Sequence, residues 1–216
     1  MDNKLKSIEQ ILLQLGAVSL NPTEPFTYAS GIKSPIYCDN RLMISFPQER
    51  QQVTDSFIKQ INQHQLEFDV IAGTATAGIP WGAWVAHELN KPMIYIRSNA
   101  KAHGKENQIE GKLEAGQKVI VIEDLISSGG SSIAAIKSVQ STQAEVVACL
   151  AIFTYQMKQA TQNFLDINIP LYTLSCFTDL VNYAVEQNFI NEDQRTQVLE
   201  WGKDPQGWGQ RYGFAS

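Results

Sequence analysis

Long apolar runs are missing from this 216-residue chain. No window approaches the roughly 18 consecutive apolar residues of a membrane-spanning helix, so a helical membrane protein is excluded. The first stretch carries Asp2, Lys4, Lys6 and Glu9 and lacks the apolar core of a secretory signal, so the protein is expected in the cytoplasm. Cysteine is scarce. Cys38, Cys149 and Cys176 are odd in number, widely spaced, and form neither a CxxC pair nor a Cys/His cluster. A disulfide framework and a structural zinc site are therefore not expected, and free thiols in a reducing compartment are. Positive charge is also short: 17 Lys and Arg face 22 Asp and Glu, a net charge of −5. Such a chain is a poor generic partner for nucleic acid or an anionic membrane, so any phosphate it binds must meet a local site. Two nucleotide motifs are absent as well. There is no GxxxxGK[ST] loop and no GxGxxG opening a βαβ unit.

What is present alternates strand and helix. Leu5, Ile8, Ile11, Leu12 and Leu15 recur at helical spacing over residues 4–15, and Gly16 ends that run. Residues 22–46 are rich in Pro, Ser, Gly and aromatics and read as loops with short strands. Pro47 suits a first helical position, and Val53, Phe57 and Ile61 continue an apolar stripe. Strands are expected over 69–72, 92–96, 119–122, 146–153 and 171–174. Helices are expected over 79–89, 131–139, 178–187 and 192–201, and residues 98–117 read as a polar connection. This order predicts an α/β fold, a parallel sheet flanked by helices, in a single domain of residues 1–216. Ligands of such sheets bind where strands end, which turns attention to the loops after Ala72, Ile96 and Ile122.

The third of those loops carries the chemistry. The β-branched run Val119-Ile-Val-Ile leads into Glu123-Asp124-Leu125-Ile126 and then Ser127-Ser128-Gly129-Gly130-Ser131-Ser132. Glycines let backbone N–H groups approach a phosphate, serines add donors, and a helix start adds positive dipole. The two carboxylates would repel that phosphate, but they suit hydroxyl groups, Mg²⁺ or a developing positive charge. An isolated Gly/Ser turn is usually only a helix cap. The whole string describes a ligand that joins a phosphate, a diol and a cation-like centre, and 5-phosphoribosyl 1-diphosphate is such a ligand.

Two further segments fit the same ligand. Arg97, Lys101, His103 and Lys105 put four potential cations into nine positions, with glycines at 104 and 111. Taken alone this is a solvated charged loop. Beside the serine–glycine string it is a loop whose cations would neutralise a departing diphosphate and whose closure would exclude water. Residues 73–78, Gly-Thr-Ala-Thr-Ala-Gly, form a strand-to-helix turn whose backbone could hold the same diphosphate.

The ordered string at 119–132 resembles the signature of type I phosphoribosyltransferases. With the segment from Phe26 to Tyr37 and the Arg97…Lys101-x-His103-Gly104 run, the resemblance sharpens to the orotate phosphoribosyltransferase family and covers nearly the whole chain. It implies transfer of ribose 5-phosphate to orotate in UMP biosynthesis, with Mg²⁺ held mainly through substrate and water. It also implies a homodimer whose loop, residues 97–111, is mobile and reaches the partner's site. Residues 1–46 would form a hood-like acceptor-binding segment. Lys101, His103 and Asp124 would be catalytic. Arg97, Lys101, His103, Glu123, Asp124, Leu125, Ile126, Ser127, Ser128, Gly129, Gly130 and Ser131 would hold the phosphoribosyl donor, and Ser127 would also lie near orotate. Tyr37 and Tyr28 could stack on a pyrimidine or simply pack. Arg41 reads as a structural ion-pair residue, and Trp81, Trp84, Trp201 and Trp208 as packing.

The chain departs from the family pattern at Ala29, where many members carry a lysine, in the region Phe153-Thr-Tyr155-Gln156, where an arginine is common, and at Thr76-Ala77 and Ser98, where basic side chains are common. Two other functions therefore stay open on the same fold: transfer to a purine or another base, or a non-catalytic sensor of the phosphoribosyl donor. The cationic run at 97–105 argues against a sensor, which needs no closing lid.

Overall fold

The computed structural model describes residues 5–98 and 108–214. The chain opens with α1 (Ile8–Gln14), then β1 (Val18–Leu20), β2 (Phe26–Thr27), β3 (Lys33–Ser34), β4 (Ile36–Cys38) and a 3₁₀ helix over Asn40–Ser45. Next come α2 (Pro47–Gln63), β5 (Val70–Thr74), α3 (Gly78–Glu88), β6 (Met93–Ile96) and β7 (Ile109–Glu110). Then follow β8 (Lys118–Ile126), α4 (Gly130–Gln140), β9 (Glu145–Thr154), α5 (Lys158–Asp166) and β10 (Leu171–Cys176). The chain closes with α6 (Phe177–Glu186), α7 (Glu192–Lys203) and α8 (Pro205–Arg211).

Six strands form one sheet in the order β10-β9-β8-β5-β6-β7, parallel except for the short β7, which pairs antiparallel with β6. The most apolar strands lie centrally. Val119, Ile120, Val121 and Ile122 on β8 and Val70, Ile71 and Ala72 on β5 are fully buried, as strands covered on both faces must be. One apolar cluster packs α1, α2, α3, α6 and α7 on one face; the other packs α4 and α5 on the opposite face. The hood is built from two small antiparallel pairs, β1 with β4 and β2 with β3.

Several boundaries differ from the sequence reading. Helix α1 begins at Ile8 and not at residue 4, because the Ser7 hydroxyl accepts from the Gln10 N–H and caps the first turn; Leu5 is left 78% exposed. Lys4 lies outside the described residues. Strand β8 runs to Ile126 because its pairing with β9 persists through Leu125 with Phe153 and Ile126 with Thr154. Glu123 and Asp124 therefore sit within the strand and not after it. The two-residue β7 and the helices α5 and α8 were not expected; they are short, and α8 contains Pro205, Gly207 and Gly209, which blur a helical signal.

Candidate active site

The carboxyl ends of β5, β6 and β8 converge, and the acidic pair stands where they meet. Glu123 and Asp124 are neighbours at the end of β8 whose carboxyl groups interact. Glu123, 7% exposed, turns toward α4, where the Ser132 hydroxyl donates to its Oε2 at 3.1 Å. On the hood side, the Asn40 side-chain amide donates to the Asp124 carbonyl at 2.7 Å and ties the hood to β8. Both carboxylates line a cleft of about 410 Å³ with Asp39, Arg41, Thr76 and Ser131. Arg41 forks onto Asp39 through Nε at 2.7 Å and Nη2 at 2.9 Å, the structural ion pair its sequence context suggested, and it stands at the rim of this cleft.

Burial first, and the neighbouring charge of Asp124 second, push the Glu123 carboxyl up to about 8. Burial also raises Asp124. Between the ordinary value of 4.5 and about 8, the folded protein holds a proton on Glu123 that the unfolded chain has already lost. This part of stability is present at low pH and is lost as pH rises through that window. Glu123→Gln removes the dependence. Its melting temperature should match wild type near pH 4.5 and exceed it by roughly 5 °C at pH 8 to 9. Thermal melts across that range check this; a constant offset between the two proteins would contradict it.

After β8 the chain turns through the serine–glycine loop. Gly129 precedes α4 with φ of +79°, a conformation that favours glycine, and no side chain caps the helix. The loop is pinned from behind. Asn163 on α5 donates to the Ser128 carbonyl at 2.9 Å, and Ala160 and Phe164 pack against Gly129. Uncapped N–H groups at a helix start, next to serine hydroxyls, make an anion site.

A second helix start faces the same region. The N-terminus of α3 also lacks a side-chain cap, and the Ala75–Thr76 peptide before it is cis. The Ala75 N–H is already taken by the Ile96 carbonyl at 2.8 Å. Gly78 lets α3 press onto β8: a β-carbon there would lie 2.4 Å from the Ile122 carbonyl oxygen. Arg97 enters from the end of β6. It lines a small cleft of about 80 Å³ shared with Thr74, Glu123 and Ser131, and its Nη1 lies 3.6 Å from Glu110.

Ser127 opens a third cleft. A slot of about 450 Å³ runs from Ser127 past Tyr28, Ile32, Met157 and Trp201 to Lys203. Ser127 Oγ lies 3.6 Å from Met157 Sδ. The Tyr28 hydroxyl donates to the Ile36 carbonyl at 2.8 Å and lies 3.2 Å from the Tyr155 hydroxyl, which fixes the ring at the slot's edge.

The structure thus brings Arg97, Glu123, Asp124, Leu125 and Ser131 around two clefts that share Glu123 and Ser131, and sets Ser127 on a third. Ile126 is buried in the strand, Ser128 and Gly129 lie in the turn, and Gly130 is the first residue of α4. Lys101 and His103 lie outside the described residues. Tyr37 is 45% exposed, packs against Phe26 and is not among the residues lining these clefts. Reading from sequence missed Asn40, Met157 and Lys203. Each stands near an ordinary-looking turn or strand end, with no motif to single it out.

The comparisons with known proteins agree with this geometry. Residues 46–177 match the model of the phosphoribosyl transferase domain. An orotate phosphoribosyltransferase of Enterococcus faecalis is 51% identical over 97% of this chain and 100% of its own length. One from Coxiella burnetii is 48% identical over 95% of this chain and 99% of its own. The crystal structure of orotate phosphoribosyltransferase from Aeropyrum pernix superimposes with a TM-score of 0.74 at 24% identity, covering 85% of this chain and 99% of that one, a likeness of fold.

Proposed function

This chain belongs to the orotate phosphoribosyltransferase family, and on that premise we propose that it transfers ribose 5-phosphate from 5-phosphoribosyl 1-diphosphate to a ring nitrogen of orotate. The products are orotidine 5′-phosphate and diphosphate, in de novo UMP biosynthesis. The observation that carries this reading is the juxtaposition at the end of β8: an acidic pair of buried Glu123 and half-buried Asp124, an uncapped helix start and a slot opening at Ser127.

Each part has a role in the reaction. Backbone N–H groups and hydroxyls of residues 127–131 hold the 5-phosphate, and Glu123 and Asp124 take the ribose hydroxyls. As the bond from the sugar to the diphosphate lengthens, positive charge grows on the ribose and Asp124 stabilises it. Arg97, Lys101 and His103 meet the negative charge growing on the diphosphate, and His103 can donate a proton to it. Ser127 steadies the acceptor ring at the mouth of the slot. Tyr37, farther out on the hood, would reach the acceptor only from the rim.

The described residues hold no group of three or more His, Cys, Asp or Glu side chains able to bind a metal by themselves. The acidic pair offers oxygen donors only, which suits Mg²⁺ held largely by substrate oxygens and water. Bound there, the ion would neutralise charge on the diphosphate.

No helix among the described residues is long and apolar enough to cross a membrane, and Cys38, Cys149 and Cys176 are unpaired, which supports a cytoplasmic enzyme. We place the loop of residues 97–111 over the partner's site in a homodimer. Mixing inactive Lys101→Ala and Asp124→Asn chains under subunit exchange should then regenerate one intact site in two. Verified mixed dimers with no recovered activity would separate the loop from the neighbouring site.

The acceptor is tested by measuring diphosphate release with orotate, uracil, adenine and guanine as alternatives. Release with orotate alone is expected. Release driven by a purine would keep the donor site and change the acceptor.

A further inference from the structure

The slot at Ser127 holds an uncompensated charge. We propose that Lys203 is the side chain that recognises a carboxylate on the acceptor ring and so sets acceptor specificity; this rests on the orotate reading above. The slot shares Ser127 with the phosphate loop, so a molecule lying in it stands beside the bound donor. Its walls include Tyr28, Ile32, Met157 and Trp201, which suit a flat ring. An apolar slot of this kind admits a carboxylate only where a cation compensates its lost hydration.

Among the described residues Lys203 is the one cation lining the slot. The slot's carboxylate, Asp204, is already engaged: Arg211 Nη2 lies 2.5 Å from its Oδ2, and the Gly207 N–H donates to its Oδ1 at 3.0 Å. Ser30 and Gln206 also line the slot but carry no charge, and two polar side chains from neighbouring stretches are spent. Lys33 Nζ donates to Thr27 Oγ1 at 2.9 Å, and the Gln156 side-chain oxygen accepts from the Thr178 N–H at 2.9 Å and hydroxyl at 2.7 Å. Among the described residues Lys203 makes no ion pair. It is also well anchored. As the last residue of α7 it follows the fully buried Trp201, whose indole N–H donates to the Lys33 carbonyl at 3.2 Å. The backbone under Lys203 is thus fixed while its ammonium is left to the ligand. A purine carries no carboxylate, so this placement favours orotate over a purine.

Steady-state kinetics of Lys203→Met and Lys203→Arg against wild type test the assignment. Losing one charge-assisted contact should raise the KM for orotate by about tenfold to a hundredfold in Lys203→Met. The KM for the phosphoribosyl donor and the kcat should stay within about twofold, and Lys203→Arg should recover most of the loss. An unchanged orotate KM, an equal rise for the donor, or no recovery with arginine would overturn the assignment while leaving the reaction standing. A wild-type enzyme that does not use orotate at all would remove the reaction, and the role of Lys203 with it.

Discussion

Asp124→Asn should lower kcat by about a hundredfold to a thousandfold, the range for loss of one preorganised electrostatic contact to a transition state. The fold should survive. Asp124 stands in a strand whose backbone pairing does not use its side chain, and its carbonyl keeps the Asn40 amide. Burial raises the Asp124 carboxyl, so its charge is costly in the folded protein; a neutral amide there relieves that cost, and the melting temperature should not fall. The kinetic loss has a separate origin. An asparagine can still accept from a ribose hydroxyl, so donor binding should change little, while the charge opposite the forming sugar cation is gone. The effect belongs in kcat and not in the donor KM. A folded Asp124→Asn protein with wild-type turnover would remove Asp124 from the chemistry.

Lys101→Ala should lower kcat by about two orders of magnitude, as one lost contact of ~3 kcal/mol to developing charge does. The diphosphate gains negative charge as the bond to the sugar breaks, so a cation that meets it there works harder in the transition state than in the ground state. The surrounding sequence has no apolar run that would tie it to the core, so the melting temperature should barely move. His103→Ala should lose less and show a flattened pH profile if His103 donates a proton. A Lys101→Ala enzyme that changes only the KM for the donor would make this lysine a capture residue.

How much of this was legible in the sequence depends on how local the signal is. The buried run Val119–Ile122 announces a central strand because apolar β-branched residues leave few alternatives. The serine–glycine string announces its own geometry, since the positive φ at Gly129 and the helix start are fixed within a few residues. The acidic pair is named by sequence, but its burial is not. Glu123 is perturbed because α4 and Ser132 close over it, and that depends on the packing of distant elements. The strand's true end was hidden for the same reason: Leu125 and Ile126 extend β8 only because Phe153 and Thr154 on β9 continue the ladder. The slot is the least legible part. Tyr28, Ser127, Met157, Trp201 and Lys203 come from four separate stretches of chain, and each alone reads as packing or surface.

The reaction is tested most directly by identifying the product. Purified protein given orotate, 5-phosphoribosyl 1-diphosphate and Mg²⁺ should form orotidine 5′-phosphate and diphosphate in equal amounts, with little product when Mg²⁺ is chelated. Diphosphate released without orotidine 5′-phosphate, or no consumption of orotate by folded protein, would contradict transfer to orotate.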